Sequence, residues 1–177
     1  MSKLFVVAGT VVAASWFLGV IEGLLMWRFV PFVYMLGVPV LDQAVSLPRP
    51  RLPGGSIGET ETGTFKVLQS DTTLFRMAFR VVGFQIRTPF PIKGVLRWEA
   101  TGARAVGRIP VGSTVFFGAW LVGWTVATGY SSIVGVLFTL FGWLFTVGLV
   151  WFSLGYELRR ARRILTELRN ALQGASA

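Results

Sequence analysis

The sequence predicts an integral membrane α-helical protein with three transmembrane helices and a small extramembrane antiparallel β domain between the first and second helices. Two apolar runs carry this prediction. From Leu4 to Trp27 the only charged side chain is Glu22, and from Val111 to Tyr156 there is none. One bilayer crossing takes about 20 residues at a rise of about 1.5 Å each. The first run is therefore long enough for one crossing and the second for two.

The amino-terminal part divides into two segments. Residues 1–28 are predicted to form transmembrane helix 1, with Trp27 and Arg28 at the membrane interface. A cleaved signal peptide with Lys3 in its basic region is the alternative, but the apolar run continues further than such a peptide needs. Residues 29–41 are apolar, short and interrupted by two prolines, which favours an interfacial or re-entrant segment; burial against a partner is an equal alternative.

The middle of the chain changes composition twice. Residues 42–64 are rich in proline and glycine and are interpreted as a linker through which no helix or strand runs. Residues 65–111 are predicted to form a small basic β domain, because short runs with apolar and basic residues in alternation recur between turn signals. The predicted strands are 64–68, 72–79, 81–87, 94–100 and 104–111.

The carboxyl-terminal part is predicted as a hairpin followed by a basic helix. Residues 112–156 form the transmembrane helical hairpin, broken at Gly129–Ser132, with helices from about Ser113 to Thr128 and from about Ile133 to Tyr156. Residues 157–177 form an Arg-rich amphipathic C-terminal helix and tail. Its apolar stripe is Leu158, Ala161, Leu165, Leu168 and Leu172.

Basic residues set the expected orientation. The net charge is +9, from 17 Lys and Arg against 8 Asp and Glu, and an arginine cluster follows the last apolar run directly. Basic flanks stay in the cytoplasm, and a hairpin returns the chain to the side that it left. We therefore expect a multi-pass protein of the inner (cytoplasmic) membrane with its N-terminus outside and its β domain and C-terminus in the cytoplasm.

Composition limits the chemistry. The chain has no cysteine and no histidine, which excludes disulfides, thiolate nucleophiles, zinc sites built from Cys or His and haem ligation through imidazole. No candidate nucleophile has an obvious base beside it, so we expect neither an enzyme nor a metal site. Nucleic acid is not expected as a partner. The aromatic hairpin leaves peripheral contact with a pigment, a quinone or lipid open, with no cofactor of the chain's own.

Three groups of residues are candidates for contacts. Glu22 is either hydrated and without a special role, a contact to a partner, or a proton-transfer group. With small residues at helical spacing it belongs to the predicted helix–helix contacts: Gly19, Glu22, Gly23, Ala119, Gly123, Gly135 and Gly142. The predicted contacts to a partner or a lipid headgroup are Arg76, Arg80, Arg87, Arg97, Arg159, Arg160, Arg162 and Arg163. The predicted membrane-interface residues are Trp27, Arg28, Trp151 and Tyr156.

The expected function is that of a non-catalytic accessory or structural subunit. Its spans fill gaps between neighbouring helices of a larger membrane complex, and its β domain clamps a surface of that complex. A photosynthetic or respiratory energy-transducing complex is one natural host. The alternatives are a membrane module that binds or senses anionic lipids and, less favoured, a small oligomeric transporter or channel. The partners expected are other membrane protein subunits and anionic lipids.

Overall fold

The chain combines long apolar helices with one antiparallel sheet. The computed structural model describes residues 2–47, 49, 52–77, 90–100, 102–128 and 133–174. The helices within these ranges are α1 Ser2–Trp27, α2 Pro31–Met35, α3 Val111–Thr128 and α4 Ile133–Gly174. The strands are β1 Val38–Val45, β2 Ile57–Glu59, β3 Gly63–Gln69, β4 Thr72–Met77, β5 Lys93–Glu99 and β6 Gly102–Ile109.

Three of these helices are long and apolar enough to cross a membrane, as the sequence predicts. They have 26, 18 and 42 residues for α1, α3 and α4, or about 39, 27 and 63 Å at about 1.5 Å per residue. Most of their large apolar side chains are exposed, including Phe17, Phe141 and Trp151. An apolar surface of this kind is suited to contact with lipid or with other apolar helices.

The long helices pack as antiparallel neighbours, α1 on α3 and α3 on α4. Tryptophan and threonine side chains join α3 to α4, because Trp124 Nε1 donates to the Phe138 carbonyl over 3.1 Å and Trp143 Nε1 donates to Thr125 Oγ1 over 3.0 Å. Hydrogen bonds between helices help to fix their pairing where no water is present. Gly129–Ser132, the predicted hairpin turn, lies outside the described residues.

The sheet has the strand order β1-β6-β5-β4-β3-β2, and all neighbours are antiparallel. Strands β3, β4, β5 and β6 coincide closely with four of the predicted strands, whereas the strand predicted at 81–87 lies outside the described residues. Strand β1 follows α1 after the short helix α2 and pairs with β6, which leads directly into α3. The sheet is therefore connected to α1 and α3 through neighbouring strands.

One face of the sheet is covered by the second half of α4. Ala161, Ile164, Leu165 and Leu168 of α4 are buried in a cluster that includes Phe75 of the sheet. The predicted apolar stripe thus packs on the sheet, although the helix that carries it is the unbroken continuation of the last apolar run rather than a separate element. The side chain of Leu172 lies outside the described part.

The other face is covered by the chain that leaves α1. Phe29 and Tyr34 stack with ring centroids 5.9 Å apart and pack on Leu74 and Val95. Phe29 has a φ of 53°, a left-handed conformation that an aromatic residue adopts only where its surroundings hold it. The Tyr34 hydroxyl donates to the Met26 carbonyl over 2.9 Å, which ties this segment to the end of α1.

Two predicted segments carry secondary structure that the sequence did not indicate. Residues 29–41 supply α2 and the first half of β1, and Phe29 and Tyr34 are buried against the chain's own sheet; their interfacial or re-entrant placement stays a prediction. Residues 42–64 are not free of strands, since β1 continues to Val45 and β2 pairs with β3. Pro39 argues against a strand at β1 when the sequence is considered alone. The structure tolerates it because it lies near the start of the strand, beside a register shift.

Candidate functional site

Glu22 lies where α1, the sheet and the first turn of α3 meet. Its Oε1 accepts hydrogen bonds from Lys93 Nζ and from the Val111 backbone N–H, the latter over 3.1 Å. Its Oε2 accepts from the Gly112 N–H over 2.6 Å. Glu22 is 7% exposed and Lys93 0%. We call Glu22, Lys93 and the Val111–Gly112 amides the buried charge cluster.

The cluster satisfies two electrostatic requirements at once. The first N–H groups of a helix lack partners within the helix and carry the positive end of its dipole, so a carboxylate stabilises them. A buried ammonium needs a counter-charge, and Glu22 supplies it to Lys93. Burial lowers the pKa of Lys93 below its ordinary value, and the hydrogen bond that Lys93 donates to Glu22 opposes that shift.

Lys93 is the centre of a row of basic residues across three strands. It pairs with Arg108 of β6 on one side and with Arg76 of β4 on the other, so the three side chains share one face of the sheet. Like charges directly opposite each other destabilise a sheet, and the charge of Arg108 lowers the pKa of Lys93 further. The Glu22 carboxylate offsets part of this repulsion.

Arg76 does not belong to an exposed basic face. It is 7% exposed, and its guanidinium lies 4.8 Å from the centroid of the Phe29 ring. Stacking on an aromatic ring stabilises a partly desolvated guanidinium. The interpretation of Arg76 as a contact for an acidic partner or a lipid is therefore wrong, because the segment after α1 covers this side of the strand.

Some of the predicted small residues lie in close contacts between helices, and others have open space beside them. Gly19 lies against Gly112 with backbone on backbone, and a Cβ on Gly142 would meet the Trp124 ring. Ala119 and Gly123 line an apolar groove between α1 and α3. Gly23 has open space where a Cβ would be. The Gly135 carbonyl accepts the Thr139 hydroxyl of its own helix over 2.9 Å. Close helix approach within the chain thus uses Gly19 and Gly142.

A cleft of about 340 Å³ lies where the apolar run of α4 ends. We call it the arginine cleft, and it is lined by Thr62, Tyr156, Arg159, Arg160 and Arg163. Arg160 lies with its guanidinium 5.7 Å from the Tyr156 ring centroid. Three of the predicted headgroup contacts therefore share one side of α4, opposite the turn that joins β2 to β3.

Thr62 forms the far wall and is held by α4. Its N–H and its hydroxyl both donate to Glu167 Oε2, over 2.9 and 2.8 Å. Partial burial alone would raise the pKa of Glu167, but the hydrogen bonds from Thr62 and the charge of Arg163 together hold it below the ordinary value. The two walls of the cleft are therefore fixed to each other.

The remaining predicted contact residues lie apart from these sites. Arg97 is exposed on β5, opposite Arg104, and Arg162 is exposed on α4 outside the cleft. Arg80 and Arg87 lie outside the described residues. Trp27 and Arg28 are exposed at the end of α1, and Trp151 is 82% exposed on α4.

Sequence reasoning missed Lys93, Thr62 and Glu167. Lys93 is 71 positions from Glu22, and nothing local in its neighbourhood marks it as buried. The Thr62–Glu167 contact joins residues 105 positions apart. The only signal in the sequence was Glu22 itself, since a carboxylate in an apolar run requires a partner.

The buried charge cluster and the Thr62–Glu167 contact hold elements of the fold together. Among the described ranges, no three Asp, Glu, His or Cys side chains are grouped so as to hold a metal ion.

Comparisons with the profiles of known protein families, with curated proteins and with solved structures found no match to this chain.

Proposed function

We propose that this protein is a non-catalytic accessory subunit, a multi-pass membrane protein that braces neighbouring subunits of a larger complex. Two properties support the proposal. The spans and the sheet are joined into one frame by the buried charge cluster and by α4, and the outer faces of the helices remain open. A rigid frame with open apolar faces is suited to holding other chains in fixed positions.

The observation that carries the proposal is the position of the open glycines on α4. A Cβ on Gly148 or on Gly155 would meet nothing within 4 Å, in contrast to Gly142. The two open glycines are seven positions apart, so they lie on one face of the helix, two turns from each other. Trp151 stands exposed between them. Small residues in such a pattern let a second helix approach closely.

The contacts of the Glu22 carboxylate favour a bracing role for this protein over a transport role. Its carboxylate accepts from one side chain and two backbone amides of the same chain. A proton or ion path through Glu22 would have to break these contacts at each passage. The same contacts make Glu22 a joint within this protein rather than a contact to a neighbour.

The proposed orientation follows the arginines. Arg28 directly follows α1, and the cluster from Arg159 to Arg163 follows the last apolar run, at the end of the helices where the sheet lies. Basic residues favour the cytoplasmic side, so the N-terminus is placed outside and the sheet and C-terminus in the cytoplasm. The chain has no cysteine. Ser70→Cys and Asn170→Cys should thus react with an impermeant maleimide only when the cytoplasmic side is opened, and reaction in intact cells would reverse the orientation.

Native mass spectrometry after gentle detergent extraction tests the bracing role. We expect the tagged protein to leave the membrane in a complex of fixed stoichiometry with at least one other membrane protein. Gly148→Leu or Gly155→Leu should abolish that complex by filling the open face. Gly9→Leu on α1, another position with open space, is the matched control.

A wild-type protein recovered only as a monomer from its native membrane contradicts the proposal. So does a complex that survives both substitutions on α4, because the open face would then not be the contact. Extraction of the protein in aqueous buffer without detergent contradicts the membrane placement itself.

A further inference from the structure

The arginine cleft is more than a basic flank of a span, because its residues converge from two parts of the fold. Tyr156, Arg159, Arg160 and Arg163 follow the spacing i, i+3, i+4 and i+7 and so share one side of α4. Thr62 faces them from the turn between β2 and β3. The space between the walls has a volume of about 340 Å³, enough for a small polar group.

The cleft carries excess positive charge. From Tyr156 to Asn170 the sequence has five arginines and two glutamates. Arg160 forms an ion pair with Glu157 at 3.5 Å, and the charge of Arg163 acts on Glu167. Arg159 has no carboxylate within ion-pair distance among the described residues, and it is exposed. An anion with several acceptor oxygens would balance this charge, and guanidinium groups bind phosphate oxygens with two parallel hydrogen bonds.

The position along α4 indicates which anion is available. The uncharged part of α4 runs from Ile133 to Tyr156, about 36 Å at about 1.5 Å per residue. A hydrocarbon core is about 30 Å thick, so Tyr156 and the arginines after it fall at the level of the lipid phosphates. This step rests on the proposed membrane placement of α4, which extraction without detergent tests separately.

We propose that the arginine cleft binds the phosphate of an anionic phospholipid headgroup. The guanidinium groups of Arg159 and Arg163 donate hydrogen bonds to the phosphate oxygens, and the Tyr156 hydroxyl donates to one of these oxygens. Thr62 forms the opposite wall of the cleft. A phosphomonoester, with its charge near −2 and three free oxygens, fits the three arginines better than a phosphodiester. The expected order of binding is phosphatidic acid, then phosphatidylglycerol, then zwitterionic phosphatidylcholine.

Native mass spectrometry of the full-length protein in detergent, with each lipid added, measures the retained lipid. Arg159→Ala combined with Arg163→Ala should lower the fraction that carries phosphatidic acid by about tenfold or more, since charge-assisted bidentate contacts are lost. Arg162→Ala combined with Arg169→Ala removes the same charge from α4 outside the cleft and should change retention less than about twofold. Equal losses in the two pairs overturn the proposal in favour of diffuse attraction, and so does no loss in either.

Two further arms separate folding and ligand source. Replacing Arg159 and Arg163 by lysine keeps the charge but removes the bidentate geometry, so we expect an intermediate loss with unchanged helix content by circular dichroism. Retention equal to that of the wild type would show that guanidinium geometry is irrelevant and overturn the site. Inorganic phosphate at the same concentration should not displace the lipid; displacement at equal concentration would assign the cleft to a free anion.

Discussion

Removing the charge of Glu22 should destabilise the protein more than removing the charge of its partner. Glu22→Gln leaves the Lys93 ammonium, which is wholly buried, without its carboxylate. Breaking a buried ion pair in this way costs about 3–5 kcal/mol. For a chain of this length that corresponds to a fall in Tm of roughly 6–20 °C.

Lys93→Met should cost less, about 1–3 kcal/mol, for a reason that the geometry supplies. In that variant Glu22 keeps the hydrogen bonds from Val111 and Gly112 and the favourable dipole of α3. The methionine also fills most of the volume of the lysine stem. The double variant has neither a buried ammonium nor a buried carboxylate, so a coupling energy of about 2–4 kcal/mol is expected between the two sites.

Unfolding by denaturing detergent in mixed micelles, followed by far-ultraviolet circular dichroism, measures all three variants. Glu99→Gln, an exposed carboxylate on the same strand as Lys93, is the control and should be neutral within about 0.5 kcal/mol. A Glu22→Gln variant as stable as the wild type would show that the buried Lys93 ammonium does not depend on the Glu22 carboxylate. A greater loss of stability in Lys93→Met than in Glu22→Gln, or effects of the two substitutions that simply add, would also contradict the expected coupling between Glu22 and Lys93.

Three further predictions concern packing and pH. Gly112→Ala should cost about 1–3 kcal/mol in the same unfolding assay, since its Cβ meets the backbone of Gly19, whereas Gly118→Ala, with open space, should be neutral or stabilising. Leu168→Ala should cost about 2–5 kcal/mol, because this fully buried side chain joins α4 to the sheet; an unchanged unfolding midpoint would mean that α4 does not hold the sheet. The pKa of Glu167 is held low in the folded state, so its contribution is present above the ordinary value of 4.5 and is lost as the pH falls below it. The stability difference between wild type and Glu167→Gln should therefore shrink on acidification, and a difference independent of pH would contradict this.

The long helices could be predicted from the sequence because length and apolar composition are local properties of a segment. Length, absence of charge and apolar side chains suffice, so α1 and α3 begin and end close to their predicted limits. Strands β3 to β6 can also be predicted from the sequence, since the alternation of apolar and polar residues and the turn signals lie within a few residues of each other. These local patterns do not show which part of the chain packs against each face of a strand or helix.

That missing information accounts for the errors. The alternation of Arg76 with apolar Phe75 and Met77 predicts an exposed side chain, yet β4 is buried on both faces. Its second cover, Phe29, comes from a segment 47 positions earlier in the chain. Lys93 could not be recognised as the partner of Glu22 for the same reason. Long-range contacts of this kind are decided by the topology of the sheet, which no short window of sequence records.

The unbroken course of α4 has a mechanical consequence. One helix of 42 residues runs from the apolar zone to the sheet without a break in the described residues, and it contains no proline, which is one of the main causes of a sharp kink. Tilting or turning the apolar half of α4 therefore moves the sheet that packs on its other half. A partner that binds the amino-terminal part of α4 would thereby displace the sheet that packs on its carboxyl-terminal part.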